Sequence, residues 1–307
     1  MKIIQTANEL KPANRKVCLA IGFFDGVHLG HQQIIRQTVA NARQHDAIAL
    51  VVTFDRHPST VVAPDRVPPL IYSLPQKLRA IESFGTDTLL QIHFDEKFSR
   101  QTGEDFIRGL ARDLGKIQSV CVGADFVFGH RRSGNVALLK KLGDELAFTV
   151  HGLAAVSLDD QIVSSTRIRE AIRSGNLDAA SQMLGRPYAI SGRVIEGDRV
   201  GRRLGFPTAN LDMAGLVLPP NGVYAGLANV GKATHRVVLN IGFRPTMASS
   251  APPLRVEAHL LDFKGDLYGQ ELEITFAARL RDEKKFASAA ALREQIARDI
   301  TEGTKRF

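Results

Sequence analysis

Hydrophobic and polar positions follow different patterns in the two halves of the chain. The first half carries short runs of consecutive apolar residues, such as VCLAIGFF and AIALVVTF, separated by segments with helical spacing. Such runs are typical of strands buried on both faces of a parallel sheet, and their alternation with helices predicts a doubly wound α/β sheet. The predicted strands cover residues 17–24, 47–54, 87–92 and 119–126, and the predicted helices cover residues 31–44, 75–84, 103–114, 166–174 and 177–184.

From Tyr188 onward the pattern changes to alternating runs, such as YAISGRVI and GVYAGLANV, separated by glycine, proline and Asn-Gly. Alternation with frequent turn residues predicts antiparallel strands, which at this length would close into a small all-β barrel. Residues 286–301 have the spacing of an amphipathic C-terminal helix. We therefore predict two domains, residues 1–186 and residues 187–307.

Composition and charge narrow the function classes only slightly. The chain has 307 residues and a net charge of +8, which is spread evenly over the two predicted domains. A nucleic-acid-binding module would concentrate basic charge beside stacking aromatics, whereas Trp is absent and only four Tyr are present. Two cysteines in apolar runs and no long apolar segment predict a soluble, cytoplasmic protein with no membrane partner. The evenly spread charge and the few stacking aromatics predict no nucleic-acid partner. Oligomeric state is left open.

A candidate nucleotide site follows the first predicted strand. VCLAIG runs directly into FFDGVHLGH, and a helix comes next. Glycines let the backbone approach a phosphate chain, and a helix N-terminus presents free amides to it. His28 and His31 are three residues apart and can face one phosphate, where imidazole donors would stabilise developing charge. The candidate phosphate-binding residues of this segment are Gly22, Phe24, Asp25, Gly26 and Gly30.

The HLGH string resembles the HxGH signature of the nucleotidylyltransferase superfamily, whose members transfer AMP or CMP and release pyrophosphate. The second signature of that superfamily is similar to SSTRIR, at residues 164–169. Without the first motif, SSTRIR could equally be a helix cap with basic neighbours. The resemblance implies catalytic roles for His28, His31 and Arg169, and phosphate contacts for Ser165 and Thr166.

Two further segments, GADFVFGH and TFDRHP, are similar to loops of the FMN adenylyltransferase module of bacterial FAD synthetases. The chain departs from that module at Arg56, where proline is usual, and at residues 70–72, where Leu-Ile-Tyr replaces Arg-Leu-Thr. These departures keep open the alternative of a riboflavin kinase with an impaired adenylyltransferase module. The flavin-binding residues implied by the resemblance are Phe54, His57, Pro58, Asp125 and Phe128.

A second constellation lies in the predicted barrel. Residues 197–210 read GDRVGRRLGFPTAN, which does not match the P-loop pattern GxxxxGK[ST] and could by itself be a solvated hairpin. GFPTANL resembles the PTAN signature of riboflavin kinases, and RVEAHLLD resembles their VExHxLD strand. The resemblance implies that Thr208 and Asn210 hold Mg²⁺ and that Glu257 is the catalytic base. The candidate phosphate-binding residues are Gly197, Gly201, Gly205 and Pro207.

The motifs occur in both predicted domains and resemble those of the bacterial bifunctional riboflavin kinase/FMN adenylyltransferase family. Membership implies phosphorylation of riboflavin to FMN and adenylylation of FMN to FAD, with ATP as co-substrate and Mg²⁺ as cofactor. An adenylyltransferase for another phosphate-bearing substrate is a rival interpretation, which the GFPTANL barrel disfavours.

Overall fold

The computed structural model describes residues 1–10, 15–198, 200–231, 233–243 and 254–307. The chain forms two compact units, one comprising Met1–Leu70 and Leu74–Ser165 and the other Ile71–Ser73 and Thr166–Phe307. The predicted boundary between residues 186 and 187 stays a prediction.

The first unit consists of ten strands and six helices among its described residues. The strands are β1 (Lys2–Ile4), β2 (Val17–Ile21), β3 (Ile48–Phe54), β4 (Thr88–Ile92), β5 (Ile117–Gly123), β6 (Val127–Phe128), β7 (Gly134–Asn135), β8 (Thr149–Leu153), β9 (Ser157–Leu158) and β10 (Gln161–Ile162). The helices are α1 (Leu29–Gln44), α2 (Ser59–Val62), α3 (Leu74–Glu82), α4 (Glu96–Ser99), α5 (Gly103–Leu114) and α6 (Val136–Leu146).

Six of these strands form a wholly parallel sheet in the order β1-β4-β3-β2-β5-β8. All five residues of β2 are buried, as expected for a central strand covered on both faces. The direction of the winding reverses between β2 and β5. Ligands of doubly wound sheets bind at such a switch point, beyond the carboxyl ends of the strands. The predicted α/β architecture is confirmed.

Elements missing from the prediction lie at the sheet edges and in the loops. Strand β1 has only three residues, and β8 reads TVHGL rather than an apolar run, with Thr149 and Gly152 exposed. Helix α6 was also missed, although Asn135 caps it by accepting a hydrogen bond from the Leu138 amide at 2.9 Å. Strand β2 ends at Ile21, before the predicted residue 24, because Phe24 takes a left-handed conformation.

The second unit begins with the helices α7 and α8, continues as a six-stranded barrel and ends with the helix α10. The helices are α7 (Ser165–Arg173), whose first residue belongs to the first unit, α8 (Leu177–Leu184), α9 (Val200–Arg203) and α10 (Ala289–Thr304). The strands are β11 (Ala189–Ile195), β12 (Ala209–Leu211), β13 (Gly222–Val230), β14 (Ala233–Phe243), β15 (Leu254–Leu260) and β16 (Glu271–Arg281).

These six strands close into an antiparallel barrel in the order β11-β12-β15-β14-β13-β16, with β16 returning to β11. Helix α10 packs against β13, β14 and β16. It is anchored by Asp299, which is 6 % exposed and accepts hydrogen bonds from Arg281 Nε at 2.8 Å and Nη2 at 2.6 Å. The predicted barrel with a C-terminal helix is confirmed.

Candidate active sites

The loop after β2 makes a tight turn directly into α1. A short 3₁₀ turn covers Asp25–Val27, and within it Gly26 has φ +73°, a conformation that favours glycine. Helix α1 begins at Leu29, two residues before the prediction, so His28 occupies its N-cap position. The space beside Gly22 is filled by the ring of Phe24. This turn brings the first signature to the carboxyl end of the central strand.

The two signature histidines lie against each other. The rings of His28 and His31 are stacked, with centroids 3.6 Å apart and 21° between their planes. The Nδ1 atom of His31 is buried and has no hydrogen-bond partner among the described residues. Burial, together with the neighbouring His28 and Lys77, holds the pKa of His31 well below its usual value. His31 is therefore neutral near pH 7. The neighbouring residue Gly30 packs against the His28 ring.

The second signature begins at the same turn. The Ser165 hydroxyl donates a hydrogen bond to the Asp25 carbonyl oxygen at 3.2 Å, so the start of α7 lies beside the loop after β2. Thr166 is the next residue of α7 and is exposed. Arg169 lies one turn further along the helix and is 8 % exposed. The Ser165–Asp25 contact thus joins two residues of the first unit that are 140 residues apart in the sequence.

An aromatic cavity of about 330 Å³ lies at the carboxyl ends of the parallel strands. Of the predicted flavin residues, Phe54, Pro58 and Phe128 line it. Phe126 stacks on Phe128, with ring centroids 5.1 Å apart. Residues that line the cavity and that the sequence analysis missed are Phe23, Phe94, Phe98, Phe106 and Arg132. The string HFDEKF after the third predicted strand was the available signal for two of them.

The remaining predicted flavin residues, His57 and Asp125, are not among the residues that line this cavity. The His57 ring meets the Phe23 ring edge-on, with centroids 4.8 Å apart, so His57 contacts a residue of the cavity wall. Asp125 is exposed and is absent from the cavity lining among the described residues. Its place in flavin binding stays a prediction.

The two departures from the family pattern have local partners. Arg56 Nε lies 3.6 Å from Asp55 Oδ1, and the same carboxyl contacts His93 Nδ1 at 2.6 Å through its other oxygen. Tyr72 is buried, and its hydroxyl accepts a hydrogen bond from Arg186 Nε at 2.9 Å. Arg56 is thus accommodated by ion pairing, and Tyr72 by burial and a hydrogen bond. Among the described residues, neither Arg56 nor Tyr72 lines the aromatic cavity.

A residue missed entirely is Lys77, on α3. It is 4 % exposed although it is a lysine, and its ammonium group donates to the Phe54 carbonyl oxygen at 2.8 Å. The signal was present in the sequence, because Lys77 is four residues before the core residue Ile81 and therefore on the same face of the helix.

The barrel unit has its own cavity, of about 500 Å³. Four predicted kinase residues line it, namely Gly197, Pro207, Thr208 and Asn210. The opposite wall is the segment between β15 and β16, which includes Phe263, Lys264, Asp266 and Tyr268. Gly205 follows the single turn of α9 with φ +90°. Arg199 of the predicted phosphate-binding loop lies outside the described residues.

Two glycines abut the oxygens predicted to hold a metal. A Cβ atom at Gly197 would lie 2.1 Å from Asn210 Nδ2 and 2.8 Å from Oδ1. A Cβ atom at Gly201 would lie 3.1 Å from Thr208 Oγ1. A side chain at Gly197 would collide with Asn210, and one at Gly201 would press against Thr208. The two glycines therefore let the backbone of the loop lie close to the predicted metal ligands. A hydroxyl and an amide oxygen are ligands that suit Mg²⁺, so this donor set fits that ion.

Strand β15 faces the glycine loop with alternate residues. Glu257 is directly opposite Asn210 on β12 and Asn240 on β14, so the three side chains share one face of the barrel wall. On the same face, His259 Nδ1 lies 2.7 Å from the Pro207 carbonyl oxygen. The predicted base, the predicted metal residue and the loop that carries it therefore form one cluster.

The comparisons with known proteins match both units separately. Residues 10–167 match the FAD synthetase family model, and residues 184–307 match the riboflavin kinase family model. The bifunctional riboflavin kinase/FMN adenylyltransferase of Escherichia coli K12 is 38 % identical over 301 residues, covering 97 % of this chain and 96 % of the relative. The chain belongs to this bifunctional family. The resemblance inferred from the motifs is confirmed.

Other members and a solved structure agree with this assignment. The Bacillus subtilis member is 36 % identical over 307 residues, covering 97 % of this chain and 95 % of the relative. A Streptococcus pneumoniae crystal structure named a macrolide-efflux protein superposes with a TM-score of 0.81 at 27 % identity, covering 99 % of each chain. That name describes the pneumococcal protein and is not carried over to this chain. Both family domains are present, which favours two activities over the kinase alone.

A search of the described helices for candidate membrane spans finds none of sufficient length and apolarity.

Proposed function

We propose that this protein converts riboflavin to FMN in its barrel unit and FMN to FAD in its parallel-sheet unit, using ATP in both steps. The observation that carries the proposal is the presence of two cavities, one lined by residues of the TFDRHP and GADFVFGH segments and the other by the PTAN segment. The free, buried cysteines Cys18 and Cys121 fit a reducing compartment, and we assign the protein to the cytoplasm.

For the kinase step, Glu257 would accept the proton of the terminal ribityl hydroxyl as that oxygen attacks the γ-phosphorus of ATP. The bond from the γ-phosphorus to the bridging oxygen breaks, and ADP leaves. Thr208 and Asn210 would hold Mg²⁺, which supplies neutralisation of phosphate charge. Gly197 and Gly201 leave room for the side chains of Asn210 and Thr208, and His259 fixes the loop through the Pro207 carbonyl.

For the adenylyl step, a phosphate oxygen of FMN would attack the α-phosphorus of ATP, and pyrophosphate would leave with the electrons of the broken bond. No protein nucleophile is required, so positioning and charge stabilisation carry the catalysis. His28 and neutral His31 would donate hydrogen bonds to the α-phosphate oxygens. Ser165 and Arg169 would bind the departing pyrophosphate. Flavin stacking in the aromatic cavity would orient the attacking phosphate.

The test is a time-resolved product analysis with riboflavin, ATP and Mg²⁺, in which FMN appears first and FAD accumulates afterwards. Glu257→Gln abolishes FMN formation but leaves conversion of supplied FMN to FAD within about twofold, because its carboxylate acts only in the barrel. His31→Ala does the reverse. A folded variant of either kind that loses both activities would contradict the two-site assignment.

A control separates the flavin from other acceptors. Replacing FMN by nicotinamide mononucleotide or phosphopantetheine, with ATP and Mg²⁺, is expected to release no pyrophosphate above background. Release with either acceptor at a rate equal to that with FMN would support the rival adenylyltransferase.

A further inference from the structure

The ammonium group of Lys77 is buried beneath the sheet-unit site. Lysines are rarely this buried unless their charge is satisfied. Here Nζ donates to the Phe54 carbonyl oxygen at 2.8 Å and lies 3.3 Å from the Phe23 carbonyl oxygen and 3.4 Å from Thr53 Oγ1. Three oxygen partners match the three protons of an ammonium group.

These partners come from the ends of two different strands. Phe23 follows β2 and begins the loop that carries the signature histidines, whereas Phe54 ends β3. Nζ also lies 4.4 Å from the centre of the Phe23 ring, a cation–π contact. Because Phe23 and Phe54 both line the aromatic cavity, a single buried ammonium group ties together two of its walls.

The charge of Lys77 is retained although burial opposes it. Desolvation lowers the pKa of Lys77 to about 8, while the nearby carboxylates of Asp25 and Asp55 act in the opposite direction. The group is therefore mostly protonated at pH 7 and keeps all its donors. The same charge contributes to the low pKa of His31.

We propose that Lys77 is a positioning residue for the adenylyl step: it fixes the backbone of Phe23 and Phe54 and thereby holds the cavity walls on which the flavin packs. The inference rests on the proposed function, because FMN is taken as the occupant of that cavity.

The test is steady-state kinetics of Lys77→Met, which keeps the length of the side chain and removes the ammonium group. Without the hydrogen bonds from Lys77 to the Phe23 and Phe54 carbonyl oxygens, we expect the KM for FMN in FAD formation to rise about 10-fold or more, because a charged donor is lost at two walls of the cavity. The KM for ATP should change less than about threefold, because the affected walls belong to the aromatic cavity. The exposed Lys140→Met, on α6, is the matched control and should behave as wild type.

Far-UV circular dichroism and residual FAD formation report whether the sheet unit of the variant is folded, because riboflavin kinase activity reports only on the barrel unit, which does not contain Lys77. If Lys77→Met does not fold, Lys77→Gln, which keeps a shorter neutral donor, is measured in the same way. A KM for FMN within about twofold of wild type, or an equal rise in the KM for ATP, would overturn the positioning role. Wild-type protein that makes no FAD would instead overturn the proposed function itself.

Discussion

Gly197→Ala is expected to disable the kinase through a collision with one residue. In the folded barrel the new Cβ atom would lie 2.1 Å from Asn210 Nδ2 and 2.5 Å from Cγ. Ordinary contacts between such atoms are about 3.5 Å or longer, so the amide must move by more than about 1 Å. A displacement of about 1 Å at a catalytic site can cost roughly 100-fold in rate. We therefore expect riboflavin kinase kcat/KM to fall about 100-fold.

The assay is FMN formation from riboflavin and MgATP, with FAD formation from supplied FMN measured on the same sample. The second activity should be unchanged, because Gly197 and Asn210 both belong to the barrel unit. Gly109→Ala is the matched control, since its Cβ atom would come no closer than 3.9 Å to another side chain. It should leave both activities intact.

A double-mutant cycle identifies the cause. Asn210→Ala removes the amide atoms that the new methyl group would strike, so Gly197→Ala should add little further loss in that background. Losses that multiply in the double variant would show that the substitution acts elsewhere. A single variant with less than a threefold loss of kinase activity would refute the steric reasoning.

Three further outcomes are expected. Asp299→Ala leaves the half-buried Arg281 without its carboxylate, which should lower the unfolding free energy by about 1.5–3 kcal/mol in denaturant titration; a change under 1 kcal/mol would contradict it. Tyr72→Phe removes the acceptor of the Arg186 hydrogen bond and should cost about 1 kcal/mol with no change in the KM for FMN. Because the folded-state pKa of His31 is lowered, its stability contribution is complete above about pH 6.5 and is lost on acidification. Thermal unfolding of His31→Gln should therefore depend less steeply on pH below 6.5 than that of wild type.

The sequence by itself determined the architecture of both units and the family. Four central strands and five of the six barrel strands appear as apolar or alternating runs, because the burial of their side chains follows the strand pattern, whereas β12 has only three residues. HLGH, SSTRIR and GFPTANL are informative because the residues needed to turn the backbone and contact phosphate are adjacent in the chain. Local patterns of this kind require no knowledge of what packs against them.

The tertiary structure alone decided what depends on contacts between distant segments. Edge strand β8 has little apolar pattern, since only one side of it is covered by another strand. The pairing of Glu257 with Asn210 follows from the register of the barrel strands. The hydrogen bond between Ser165 and Asp25 joins two residues that are 140 positions apart in the sequence. The role of Lys77 emerges only where two strand ends meet, because a buried charge is stable only when the fold supplies its partners.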